Sequence, residues 1–275
     1  MITLKHIKYF IIFILISIIS WSVIESIIGY FSLYTYSNTL SYDKYSSIES
    51  PYNIKNNFSE PFISIHAVYS IEKLKKYFNK YKCFETDIVF YENKFIIAHD
   101  NINLDINKNS YLYLDDIFAN ISSISGGRSD LKYIWLDFKN MNSENYLSIL
   151  DILINLVAKY NINKSSIIIE SPYPSLLQSF LNKGFITSYY FEPVFYEDRE
   201  KNDLIIKNII DIVEQYPVDF ISCNVKYFSL VNNIFPNMHK NYWFSGSSLQ
   251  MKLRSLFIRL YVLNQDTTGI LILDY

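Results

Sequence analysis

The sequence predicts an α/β fold: a (β/α)8 TIM barrel preceded by a single N-terminal transmembrane helix, with residues 1–32 as membrane anchor, 33–60 as linker and 61–275 as barrel. Three observations carry this. Residues 9–31 form one apolar stretch long enough to cross a bilayer. From Pro61 onward, short apolar runs suited to strands alternate with stretches of helical period eight times. The Gly-rich first turn that an open doubly wound sheet requires is absent, because the only Gly pair, Gly126 and Gly127, lies between a helix and a strand.

The apolar stretch is interrupted by serines and by one acid, Glu25, in its outer third, where a carboxylate costs less than at the bilayer centre. Lys5, His6 and Lys8 precede it, so the positive-inside rule places the N-terminus in the cytoplasm and the barrel outside, periplasmic or extracellular. A cleaved signal peptide is the competing reading; the apolar core is long for one, and no small-x-small cleavage site follows it. Residues 32–60 are rich in Ser, Tyr and Asn without sustained apolar period, as a linker is.

The strand-like runs are PFISIHA, the hairpin of residues 83–100, KYIWLDFK, SSIIIES, FITSYYFE, DFISCN, NYWFS and GILILDY. Between them, helical period covers residues 70–80, 112–121, 143–160, 175–182, 203–215, a turn region through Val231, and 248–260. Ser70 is suited to cap the first helix, with Glu72 in its first turn and Ile71, Leu74 and Phe78 as its apolar face. In the 143–160 helix, Leu147, Leu150, Ile154 and Val157 form the packing face. Half of the chain is hydrophobic and its formal charge is −2, which suits one domain plus an extra segment. The 25 Lys and Arg are scattered and balanced by 27 acids, so nothing indicates a nucleic-acid partner. Cys83 and Cys223 lie in apolar runs and form no CxxC, which argues against a zinc site or a disulfide framework.

In a strand successive side chains alternate faces, so Cys83, Glu85 and Asp87 share one face, and the return segment of that hairpin ends on His99. A polar residue in the last position of an apolar strand needs a reason, and here every strand supplies one. The first ends on His66, the third on Asp137 and Lys139, and the fourth on Glu170. Glu192, Asn224, Trp243 and Asp274 close the remaining strands and complete a substrate-facing rim. Three carboxylates, Glu85, Asp87 and Asp137, repel one another unless a cation neutralises them, and an all-oxygen set calls for Mg²⁺ or Ca²⁺. Lys139, two residues past the third acid, adds positive charge where an anionic substrate would sit.

The order His66, FETD, AHD, LDFK resembles the phospholipase-C-like phosphodiesterase superfamily, which includes the glycerophosphodiester phosphodiesterases and the sphingomyelinase D toxins. It is similar in motif wording to the menorin family, and the resemblance runs from about Ile63 to Tyr275. It implies that Glu85, Asp87 and Asp137 hold the cation and that His66 and His99 flank the phosphorus as base or nucleophile and acid. It further implies that Lys139 binds a phosphate oxygen and Trp243 faces the alcohol head group. One departure is Ala67, where glycerophosphodiester phosphodiesterases carry Arg after the first histidine; it favours the menorin-like branch.

The expected function is that of a membrane-anchored phosphodiesterase acting on a glycerophosphodiester, lysophospholipid or related small-molecule or lipid substrate. The alternative is a catalytically silent barrel that serves as a cell-surface binding module. A glycosidase with paired acids needs neither the two histidines nor the lysine.

Overall fold

The structure is a computed structural model that describes residues 16, 17, 20, 21, 24, 48, 62–81, 83–99, 111–125, 132–193, 199–244 and 268–273. The expected membrane anchor and linker lie outside these residues, apart from helical positions 16, 17, 20, 21 and 24 and position 48. Among the described residues no helix is long and apolar enough to cross a membrane.

The elements run β1 (Phe62–Ile65), α1 (Ile71–Tyr77), β2 (Cys83–Tyr91), β3 (Lys94–Ile97), α2 (Leu114–Ser125), β4 (Tyr133–Phe138), α3 (Tyr146–Lys159) and β5 (Ile167–Ser171). They continue with α4 (Pro174–Leu181), β6 (Ile186–Tyr190), α5 (Arg199–Gln215), β7 (Phe220–Asn224), α6 (Phe228–Ile234), β8 (His239–Phe244) and β9 (Thr268–Leu273). The strand order is β1-β9-β8-β7-β6-β5-β4-β2, and β1 also pairs with β2, so the parallel strands close on themselves as a barrel. That closure separates the fold from an open doubly wound sheet. β3 stands outside the ring, antiparallel to β2, after a turn through Glu92 (φ 46°) and Asn93 (φ 60°). Positive φ at both central residues is the type I′ geometry, whose twist suits a two-residue hairpin.

Because the strands are covered on both faces, several are apolar throughout, as in Ile167, Ile168 and Ile169, all fully buried. Ile168 joins Cys83, Tyr133, Trp135, Ile186, Phe220 and Ile270 in the barrel interior. Its neighbours Ile167 and Ile169 face the larger core between barrel and helices. In the interior, side chains from alternate strands stack in layers. Ser64, Trp135, Ser188 and Asn241 are fully buried in the middle. Above them Glu85, Glu170 and Ser222 approach the mouth. Gly269 is required where it stands, since a Cβ there would lie 2.5 Å from a Phe220 ring carbon and 3.1 Å from Asn241 Oδ1.

The helices follow the expected pattern with one adjustment, in α3. Ser70 caps α1, its Oγ accepting from Lys73 N at 3.1 Å, and Leu74 and Phe78 are buried. In α3 the buried face is Ile149, Leu150, Leu153 and Val157, whereas Leu147 is exposed. The helix begins at Tyr146, so Leu147 lies in its first turn on the solvent side of that face. The expected 248–260 helix lies outside the described residues.

Candidate active site

Register brings the acids together. β2 presents Glu85 and Asp87 on its inner face; Asp87 is paired with Asp137 on β4, and Asp137 with Glu170 on β5. One oxygen each of Glu85, Asp87 and Asp137 lie within 4.8 Å of one another at the C-terminal mouth of the strands. Glu85 and Asp87 are nearly inaccessible, at 3% and 1% exposure.

Each acid is held from outside. Glu85 Oε2 accepts from the Ala67 backbone N–H at 2.7 Å and lies 3.7 Å from His66 Nε2. Tyr69 donates its hydroxyl to Asp87 Oδ2. Lys139 Nζ lies 2.6 Å from Asp87 Oδ1 and also donates to Asp137 Oδ2. Burial pushes the Asp137 carboxyl up to about 6, with Lys139 opposing and Asp87 and Glu85 adding to the rise. Burial works against the Lys139 ammonium, but Asp137 and Asp87 outweigh it and hold the group protonated. Glu170 is pushed well above the ordinary carboxylate range by burial and by Asp137, although Ser188 donates to its Oε2 at 2.9 Å.

The donor set fits a hard divalent cation. Three carboxylates converge beside one ammonium that reaches only the two aspartates, all the donor atoms are oxygen, and two of the acids are oriented by bonds from the protein. A cation of charge two would balance what Lys139 leaves uncompensated.

The structure therefore assembles His66, Glu85, Asp87, Asp137 and Lys139 into one cluster. His99 is exposed and follows Ala98, whose N–H donates to the Asp87 carbonyl at 3.2 Å, so it leaves the hairpin beside that cluster. Glu192 is exposed on the rim, bonded to the Tyr190 hydroxyl at 2.9 Å and Lys226 at 3.0 Å. Asn224 spends its side-chain oxygen on Lys226 N at 2.9 Å, capping the turn after β7. Trp243 stacks with Tyr190 at 6.4 Å and 23° on the inner face of the mouth. Asp274 lies outside the described residues.

Sequence reading passed over Tyr69, Ser188 and Tyr190. Strand parity would have found the last two, because Ser188 and Tyr190 share the face of Glu192. Tyr69 stands in a loop and carries no periodic signal.

No protein-family model and no curated protein matches the chain. Among solved structures it is similar to a glycerophosphodiester phosphodiesterase from Parabacteroides distasonis, with TM-score 0.56, 12% identity, and coverage of 78% of this chain and 92% of that one. It is also similar to a phosphodiesterase from Oleispira antarctica in complex with the product sn-glycerol-3-phosphate, with TM-score 0.52, 11% identity, and coverage of 78% and 93%. The chain has the barrel fold of the glycerophosphodiester phosphodiesterases.

Proposed function

We propose that the protein is a metal-dependent phosphodiesterase, a phosphoric diester hydrolase acting on a glycerophosphodiester, lysophospholipid or related diester. The observation that carries it is the convergence of Glu85, Asp87 and Asp137 within 4.8 Å, with Lys139 between the two aspartates. A Mg²⁺ or Ca²⁺ ion held by the three carboxylates would supply Lewis-acid charge to a phosphoryl oxygen. Lys139 contributes a permanent positive charge for a second phosphate oxygen. His66, facing Glu85, takes the proton of the attacking hydroxyl or water, and His99, which follows β3 on the same edge of β2 as β1, returns one to the leaving alcohol. Trp243, Tyr190, Glu170, Glu192 and Asn224 form the wall against which the alcohol lies.

We assign residues 1–32 to a membrane anchor with the barrel extracytoplasmic. The exposure of Ile16, Trp21 and Ile24 on helical residues supports this assignment. It requires that the full chain stay with the membrane fraction in high salt and leave it in detergent.

The test of the reaction is turnover of glycerophosphodiesters and lysophospholipids with Mg²⁺ and with EDTA. Activity should vanish with EDTA, and His66→Ala and His99→Ala should each lose about 10²–10⁴-fold in kcat. Absence of metal-dependent turnover, or full activity in His99→Ala, would sink the proposal. Ala67 in place of the arginine favours the second reading, a binding module; Mg²⁺ binding without turnover on a broad diester panel would select it.

A further inference from the structure

Lys73 grips the loop that carries His66. Its Nζ donates to two successive carbonyl oxygens, His66 O at 2.7 Å and Ala67 O at 3.1 Å. Ala67 has φ 56°, in the left-handed region that a residue with a Cβ rarely adopts. This turn aims the Ala67 N–H at Glu85 Oε2, which accepts it at 2.7 Å, and the same oxygen faces His66 Nε2 at 3.7 Å. Just past the turn, Val68 ties the loop to β2. Val68 N donates to the Glu85 carbonyl at 3.0 Å, and Thr86 Oγ1 donates to the Val68 carbonyl at 3.1 Å. Local helix energetics do not account for Lys73, because it lies in the first turn of α1, where the helix dipole disfavours a cation. The two carbonyls are what hold the ammonium there.

We propose that Lys73 is a positioning residue for the site: by holding the His66 and Ala67 carbonyls it fixes the left-handed turn, and the turn orients both Glu85 and His66. The inference rests on the reading of Glu85, Asp87 and Asp137 as cation ligands. Ligand orientation by surrounding groups sets metal affinity, and here the orienting donor is a backbone N–H whose direction depends on a side chain six residues on.

The full chain and the variants Lys73→Met, Lys73→Arg and Lys73→Met/Ala67→Gly are compared by calorimetric titration with Mg²⁺, by thermal midpoint and by the position of the His66 ring resonance in NMR. Lys73→Met should weaken Mg²⁺ binding about tenfold or more and move the His66 resonance. Where a diester is cleaved, kcat and kcat/KM should fall together. Lys73→Arg, which retains a cationic donor, should recover most of the affinity. The double variant should regain stability, since glycine takes the left-handed turn freely, and still bind Mg²⁺ weakly because the loop is unpinned. A Lys73→Met protein with a lower thermal midpoint but unchanged Mg²⁺ affinity and His66 resonance would reduce Lys73 to a structural role and overturn the proposal. If the wild type cleaves no diester while Lys73→Met still weakens Mg²⁺ binding, the reaction fails and the positioning role stands. If the wild type binds no Mg²⁺, the ligand reading fails, and an unmoved His66 resonance then overturns the positioning role as well.

Discussion

Tyr69 holds Asp87 by a hydroxyl from a ring that is itself 39% exposed. Removing that hydroxyl costs little packing and leaves the ring in place, so its effect should concentrate on the carboxylate it orients. Tyr69→Phe is expected to lower Mg²⁺ affinity about 10-fold or more, read by calorimetry, while thermal stability changes little. A Mg²⁺ affinity equal to that of the wild type would mean that Lys139 alone orients Asp87. The two partners of Asp87 also show what single residues disclose in sequence. Lys139 was legible because strand parity sets it on the face of Asp137, two residues away. Tyr69 was not, because the return of a loop residue onto a strand is decided by backbone turns, here the left-handed Ala67, and no spacing rule encodes them.

Among the elements, β2 has an unusual duty: inside the barrel it pairs with β1 at Cys83 and Phe84 and with β4 as far as Ile88, and from Ile88 to Tyr91 it pairs with β3 outside it. Beyond Ile88 the β4 side of β2 would be left without a ladder partner. Asn140 supplies one, its Oδ1 accepting from Phe90 N and its Nδ2 donating to Phe90 O, both at 2.8 Å. This side-chain amide imitates one more step of the parallel pairing and keeps the end of β2 beside the end of β4, where Asp87 and Asp137 must meet. Asn140→Ala removes both bonds and leaves a partly buried N–H and C=O to find water. A loss of about 1–3 kcal/mol is expected, measured by urea unfolding, together with weaker Mg²⁺ binding. Unchanged stability would show that solvent replaces the amide without cost. Strands were easier to locate than helix faces. The β5 run of isoleucines leaves one assignment, whereas α3 is apolar enough that Leu147 and Leu153 compete for the core, and only the docking angle buries the second.

For the whole molecule, the count of strands pointed to a barrel but the register that closes it was not legible: that β1 meets both β2 and β9 depends on the register summed around eight strands, which no local pattern states. The same closure gathers negative charge at one mouth and gives a global test. Burial, the largest cause, raises the Asp137 carboxyl from 3.8 to about 6, so the folded chain binds this proton more tightly than the unfolded chain does. In the absence of metal, the stabilising contribution of this group is therefore complete below its unfolded value and is lost as pH rises through its folded value. Cation binding has the opposite sign, because a ligand carboxylate must be ionised: Mg²⁺ competes with the proton at acid pH and gains affinity as Asp137 ionises. Mg²⁺ at about 100 times its Kd should then stabilise the barrel by about 2.7 kcal/mol at neutral pH and by progressively less below about pH 6. Thermal midpoints with Mg²⁺ and with EDTA, taken at about pH 5, 6 and 7.5, measure this difference directly. In Asp137→Asn the carboxylate is gone, so the metal-free midpoint should lose this group's pH dependence and the Mg²⁺ increment should shrink at every pH. A Mg²⁺ increment that is the same at all three values, or that survives the substitution intact, would place the ion away from these strands and dissolve the link between the barrel's charge and its chemistry.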